Sequence, residues 1–328
     1  MLKTGGKMSK FDDQYIDLCR RILDHGEKII NYKKTDHRDQ KVATAIPDHA
    51  AQGASESRTI RLPHQVLQFD LEEEFPILVS KKVAFKTATL EMLWIYQQAS
   101  NDVRWLHDRG IKIWNEWEIA EDGTYQGRNI NKIYAKNHPN EPKENFAHTI
   151  GTAYGWIVKR YSLLDNLIAT LKENPGNRRM IMSLWQNEWL ETAALPSCVW
   201  NSQWNLIDGH LNVLVTSRSS DVPLGLPFNV AQYAVLCYLI AQCIGAKPGQ
   251  MTFITNDAHI YENQIDGIKE QISRYDEAVK NGTLPKAPKL WINPDVKDIY
   301  QFDSSRELKD IRLEDYENLG AIKMPVTE

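Results

Sequence analysis

Apolar residues recur from residue 11, with Ile16, Leu18, Ile22 and Leu23 near helical spacing, and this predicts an amphipathic helix over 11–32. Polar residues then take over: residues 33–58, with HRDQ, IPDH and AAQGASES, read as an irregular polar insertion. A strand follows near 59–69, then FPILVSKK and a helix over 83–99. WLHDRGIKIWNEW reads as a wet aromatic loop, and residues 118–150 as charged, Asn- and Pro-rich connections. YSLLDNLIATLKENPGN carries Leu and Ile at helical spacing and stops at Pro175-Gly176. RRMIMSLW and the stretch after Cys198 alternate as strands do, whereas VAQYAVLCYLIAQCIG is apolar nearly all round and reads as a buried helix. No repeat or clean linker appears, so residues 1–328 are expected to form a single domain of mixed helix and strand.

Composition narrows the class. Hydrophobic residues make up 42% of the chain, enough for a substantial core. A net charge of -4 argues against broad attraction to nucleic acid or membrane. The four cysteines, Cys19, Cys198, Cys237 and Cys243, show neither C-x-x-C spacing nor a paired framework, which suits a reducing cytoplasm. The opening MLKTGGKMSKFDDQY has no apolar run of the signal-peptide kind, and Gln232, Gln242 and Gly245 break the most apolar stretch.

Candidate chemistry is densest between Cys198 and Asn229. LPSCVWNSQW leads into a strand and then TSRSSDVPLGLPFNVAQYAVL, placing a lone cysteine, an Arg-Ser-Ser-Asp cluster and a Gly-Pro turn close together. A thiol beside an arginine can be held partly as thiolate, the nucleophilic form. With the Arg178-Arg179 doublet upstream, the set suggests covalent chemistry on a phosphorylated small molecule. Taken alone, Cys198 reads as a small buried hydrophobe, Asn229 as a helix cap and Glu91 as a solvated helix glutamate.

NRRMIMSLWQNEW, Cys198, RSSDVPLGLPFNVAQY and DAHIYENQ together resemble the thymidylate synthase family, in order and nearly in spacing, from about residue 59 to the terminal IKMPVTE. Val199 after the cysteine is similar to Bacillus and phage forms. The resemblance implies an α/β (α+β) three-layer fold, a mixed β-sheet packed against helices, and a dimer formed through the sheet. It implies addition of Cys198 to C6 of dUMP and reductive methylation at C5, with 5,10-methylenetetrahydrofolate as one-carbon and hydride donor and no metal. By the same resemblance Arg218 and Ser219 bind phosphate, Arg178 and Arg179 act across the interface, and Arg218 favours the Cys198 thiolate. Asn229 reads the uracil edge, and His259 and Tyr261 bind the sugar 3′-hydroxyl. A strand points residues two apart the same way.

Glu91, on a helix start, matches the general acid/base, and Tyr154 lies near the site of C5 proton removal. By the same resemblance Asp221 is expected to hold the pterin, with Ile113, Trp114, Gly225 and Phe228 as its walls, Lys81 at the glutamate tail and the Met324-Pro325-Val326 segment closing as a lid.

Some positions depart from the family. Ser197 stands where proline usually precedes the nucleophile, Pro196 being one place earlier, and Ser217 and Ser220 replace glutamine and cysteine. The N-terminal phosphate-loop arginine is Arg38 or Arg58. These departures keep a deoxyuridylate hydroxymethylase, which admits water to the same methylene intermediate, as the alternative. A catalytically silent nucleotide- or RNA-binding protein is the reading from a different class; loss of Cys198, Glu91 or the arginines would favour it, and all are present.

Overall fold

A computed structural model describes residues 9–32 and 56–326. The chain opens with α1 (Lys10–His25), capped by the Ser9 side chain, and then β1 (Glu27–Tyr32). The helix expected over 11–32 therefore stops early. Gly26 takes an extended conformation, and the β-branched pair in EKIINY joins a sheet, Ile29 opposite Thr59. Residues 33–55 of the polar insertion, Arg38 among them, lie outside the described residues. The insertion's last three residues belong to β2 (Glu56–Asp70) rather than to a loop.

The middle of the chain holds α2 (Phe85–Tyr96), α3 (Arg104–His107), the short pair β3 (Thr124–Tyr125) and β4 (Arg128–Asn129), then α4 (Ile130–Asn137), α5 (Gly155–Arg160) and α6 (Leu163–Glu173). The stretch 118–150 thus contains elements that its charge concealed: α4 starts because the Asn129 side chain accepts from Lys132 N–H. After β5 (Ile181–Ser183) come β6 (Val199–Ile207) and β7 (His210–Ser217), joined by Asp208-Gly209, both at positive φ as a two-residue hairpin turn requires. β8 (Ser220–Asp221), α7 (Gly225–Ile244), β9 (Lys247–Tyr261), α8 (Ile265–Asn281), β10 (Lys289–Ile292) and β11 (Ile311–Glu314) complete the chain.

The main sheet runs β1-β2-β9-β7-β6-β5, with β8 also on β9; β7 and β8 pair parallel with β9 and the remaining pairs are antiparallel. It is the mixed sheet expected. Its two faces differ because side chains alternate. Leu67, Phe253 and Val215 lie in one cross-strand row and Phe69, Met251 and Val213 in another, all buried under α1 and α7, with α2 packed over α7. The opposite face carries Ile181, Gln203, Leu214, Thr252 and Gln68 in register, and Val66 beside Ile254. Val66 on β2 and Ile181 on the edge strand β5 are each 51% exposed there, leaving large apolar side chains uncovered on this face.

One buried charge ties α1 to the strap between β2 and α2. The Asp12 carboxylate, with no exposed surface, accepts from Val79 N–H at 2.9 Å and Ser80 N–H at 2.8 Å. Gln271 of α8 donates to the Ser80 hydroxyl, so three elements meet just before Lys81. Asp12→Ala strands two buried N–H donors, and chemical denaturation is expected to show a loss of about 3 kcal/mol. A change below about 1 kcal/mol would show that the junction does not depend on this carboxylate.

Candidate active site

Among the described residues there are four free cysteines; Cys19, Cys237 and Cys243 are buried and only Cys198 is partly open. Burial pushes the thiols of Cys19 and Cys237 up to about 12 and that of Cys243 to about 11, so they are inert as nucleophiles. Cys198 sits just before β6. Its backbone N–H donates to the Tyr154 hydroxyl at 3.0 Å, and its carbonyl accepts from Arg218 N–H at 2.8 Å. Tyr154 is held at φ +46, a strained value for a bulky residue, immediately before α5. Burial and the neighbouring Cys198 push its phenol well above the ordinary range, so it stays protonated.

The Arg218 guanidinium lies against the nucleophile. Nη2 is 3.6 Å from Cys198 Sγ and 2.8 Å from the Pro196 carbonyl, while Nε donates to the Ser197 carbonyl at 3.1 Å. Backbone oxygens make these contacts, so a serine at 197 in place of proline leaves the bridge intact. The two replacement serines also have partners: Ser217 Oγ donates to the Cys198 and Ser219 carbonyls, and Ser220 Oγ to Ser217 Oγ.

Glu91 lies within α2 rather than at its start, facing α7. Its Oε1 accepts from the Trp114 indole N–H at 2.7 Å and its Oε2 from Gln232 Nε2 at 2.6 Å. Burial pushes this carboxyl up to about 7 against the pull of those two donors, into the range where it can both take and give a proton. Trp114 is itself wedged among Trp94, Trp117 and Tyr154, with ring centroids 5.3–6.0 Å away. Asn229 stands inside α7, so it is not a helix cap, and its Nδ2 donates to Gln232 Oε1 at 3.2 Å.

β9 turns His259 and Tyr261 to one side, their rings edge to face at 5.1 Å. Asp257 accepts from His259 Nδ1 at 3.1 Å and from Arg61 Nη1 at 2.9 Å. Burial pushes the Asp257 carboxyl up, but the bonds to His259 and Arg61 outweigh it and hold the group below its ordinary value. A carboxylate at Nδ1 leaves His259 Nε2 as an acceptor.

Asp221 forms the other end. Its carboxyl, pushed up by burial, accepts from Leu224 N–H at 3.0 Å and from Gln264 Nε2 at 3.1 Å. Gln264, wholly buried, also donates to the Pro325 carbonyl at 3.1 Å and accepts from Tyr261 N–H, so it joins the C-terminal tail to Asp221. A Cβ at Gly225 would lie 3.7 Å from Asp221 Cβ. Gly225 and Phe228 are half-buried, Ile113 is 38% exposed and Val326 64% exposed. Lys81 is buried and donates to the Pro223 carbonyl; burial brings its ammonium down to about 8. Arg178 and Arg179 are exposed ahead of β5, Ser219 is half-buried, and Arg58 is exposed on β2 opposite Ile30. Among the described residues no cluster of His, Cys, Asp or Glu is arranged to hold a metal ion.

Gln232, Gln264, Asp257 and Arg61 are participants that the sequence reading missed. The available signal was a polar residue within an apolar run, as Gln232 is in VAQYAVL, since a buried amide must find partners. Among the described residues one helix, α7, is long and apolar enough to cross a membrane, and 72% of its apolar window is buried inside the molecule.

Comparison with known proteins agrees with this geometry. Residues 13–328 match the family described as Thymidylate synthase. A thymidylate synthase of Clostridium beijerinckii is 42% identical over 320 residues, covering 98% of this chain and 100% of that protein. Thymidylate synthase 1 of Bacillus subtilis is 37% identical over 304 residues, covering 90% and 92%. The solved structure of the thermostable thymidylate synthase A from Bacillus subtilis superposes with a TM-score of 0.73 at 34% identity, covering 96% of this chain and 99% of that one. With synthase relatives along nearly its whole length, and a hydroxymethylase reading not favoured, the chain belongs to the thymidylate synthase family, the methyltransferases that make dTMP from dUMP with methylenetetrahydrofolate as co-substrate.

Proposed function

We propose that Cys198 is the nucleophile that adds to C6 of dUMP. The observation that carries this is the contact between Arg218 and the only partly open thiol among the described residues. With Nε and Nη2 engaged around Cys198, Arg218 turns Nη1 toward the substrate phosphate, beside Ser219. Arg178 and Arg179 of the partner subunit complete that phosphate site in a homodimer formed through the sheet. The uncovered face bearing Ile181 and Val66 supports such a pairing. Arg38 or Arg58 supplies the remaining phosphate contact.

His259 and Tyr261 receive the sugar 3′-hydroxyl, and Asn229 pairs with the uracil edge. Addition of the thiolate to C6 makes C5 nucleophilic; the bound folate supplies the one-carbon unit and the hydride. Glu91 moves protons to and from the pyrimidine, and Tyr154 stands where the C5 proton leaves. Asp221 holds the pterin edge between Ile113, Trp114, Gly225 and Phe228. Val326 closes over it, and Lys81 supports that end of the site from beneath Pro223. Trp114 and the closed tail keep out the water that a hydroxymethylase admits. The chain acts as one domain in the cytoplasm, with no membrane or specific nucleic-acid partner.

Incubation with dUMP and methylenetetrahydrofolate is expected to give dTMP and an equal amount of dihydrofolate, with Cys198→Ala losing both. Hydroxymethylated nucleotide without dihydrofolate would refute the hydride step. Because burial raises the Glu91 carboxyl to about 7, its ionised form is lost as pH falls through that value. If that form takes the proton, kcat declines on the acid side of about 7. Glu91→Gln is then expected to remove this limb and lower kcat by about 10²-fold or more; an unchanged limb would assign it to another group. Gln264→Leu frees the tail from Asp221, so the KM for folate is expected to rise severalfold while that for dUMP changes little. Equal changes in both would make Gln264 a general structural residue.

A further inference from the structure

We infer that Gln232 is a specificity-determining residue: it fixes which end of the Asn229 amide meets the base, and so allows an asparagine to distinguish uracil from cytosine. The inference rests on the reading of Asn229 as the group that pairs with the base. An unrestrained carboxamide cannot make that distinction. Uracil offers O4 as an acceptor and N3–H as a donor, matched by Nδ2 and Oδ1. Cytosine offers N4–H as a donor and N3 as an acceptor, matched equally well when the amide turns over. The terminal torsion of an asparagine is broad and roughly two-fold, so the backbone does not choose between the two.

The choice is made by a chain of hydrogen bonds whose direction is set at the ionised Glu91 carboxylate, which can only accept. The Trp114 indole N–H can only donate, and it occupies Glu91 Oε1 at 2.7 Å. An ionised carboxylate can only accept, so Glu91 Oε2 draws the Nε2 end of Gln232, at 2.6 Å. Gln232 then has its Oε1 facing away, and that oxygen takes Asn229 Nδ2 at 3.2 Å. Gln232 follows Asn229 by three residues on α7, the spacing that puts two side chains on one helix face. It is 6% exposed, so water has little access to replace either bond. Asn229 is left with the second Nδ2 hydrogen for O4 and with Oδ1 for N3–H, the uracil pattern.

The test is equilibrium binding of dUMP and dCMP to the full-length protein at pH 8, without folate, with thermal melting to confirm that each variant folds. In Glu91→Gln the new amide keeps an oxygen on Trp114 and presents N–H to Gln232, which must turn over and turn Asn229 with it. The preference for dUMP over dCMP is expected to fall by about tenfold or more, without any change at residue 229. Gln232→Leu removes the restraint and is expected to lower the same ratio severalfold. Gln232→Glu still accepts from Asn229, with one of the two carboxyls taking a proton to bridge the pair, and is expected to keep the wild-type ratio. If Gln232→Leu fails to fold, the opposite outcomes expected for Glu91→Gln and Gln232→Glu decide alone. Wild-type ratios in Glu91→Gln and Gln232→Leu, with a shift toward dCMP in Asn229→Asp, would overturn the role of Gln232 and leave Asn229 as the reader. If Asn229→Asp also leaves the ratio unchanged, the base-reading role itself is wrong.

Discussion

The site is organised around a carboxylate buried where α2 meets α7. A charge taken out of water must be compensated by donors of good geometry, or it picks up a proton. Glu91 lies between these outcomes: the Trp114 indole and the Gln232 amide each satisfy one oxygen, yet burial still lifts its pKa to about 7. The donors cannot be moved independently of the fold. Trp114 is packed among three aromatic rings and Gln232 is set in the central helix. The same compromise fits the carboxyl for proton transfer and orients the side chains beyond it.

The core explains how such a group is held still. α7 is buried along most of its length, packed against the sheet on one side and α2 on the other, so Asn229 and Gln232 belong to an element with little freedom to shift. Cys198 and Arg218 sit at adjoining ends of paired strands, bound through backbone oxygens. A site assembled through main-chain carbonyls tolerates side-chain change, so a serine at 197 in place of proline keeps the arginine bridge. Beside the nucleophile, Tyr154 is strained, its positive φ held by the packing of its ring and by the bond from Cys198 N–H.

What could be read from the sequence follows the range of the forces involved. The strand period that puts His259 beside Tyr261, and the apolar run that becomes α7, are local patterns, and the structure has both. The division between α1 and β1 was not legible, because Ile29 and Ile30 continue the apolar pattern and only pairing with β2 makes them a strand. Gln232 and Gln264 were missed for a related reason: each joins groups far apart in the chain, Glu91 and Asn229 in one case, Asp221 and Pro325 in the other. Motif resemblance brought in Glu91, Asn229 and Asp221, and carries no information about the amides bonded to them.

That difference bears on how specificity is encoded. An asparagine has no inherent preference between two bases whose donor and acceptor patterns are reversed. Under the proposed reading the preference comes from a group with a fixed sense, the acceptor-only Glu91 carboxylate, two hydrogen bonds from Asn229. Gln232 carries that sense onward because its amide has two distinguishable ends, and it is buried enough that water does not restore the lost choice. On the proposed reading, recognition of the base and proton transfer share one carboxylate, and a change that alters the ionisation of Glu91 also weakens the constraint on Asn229.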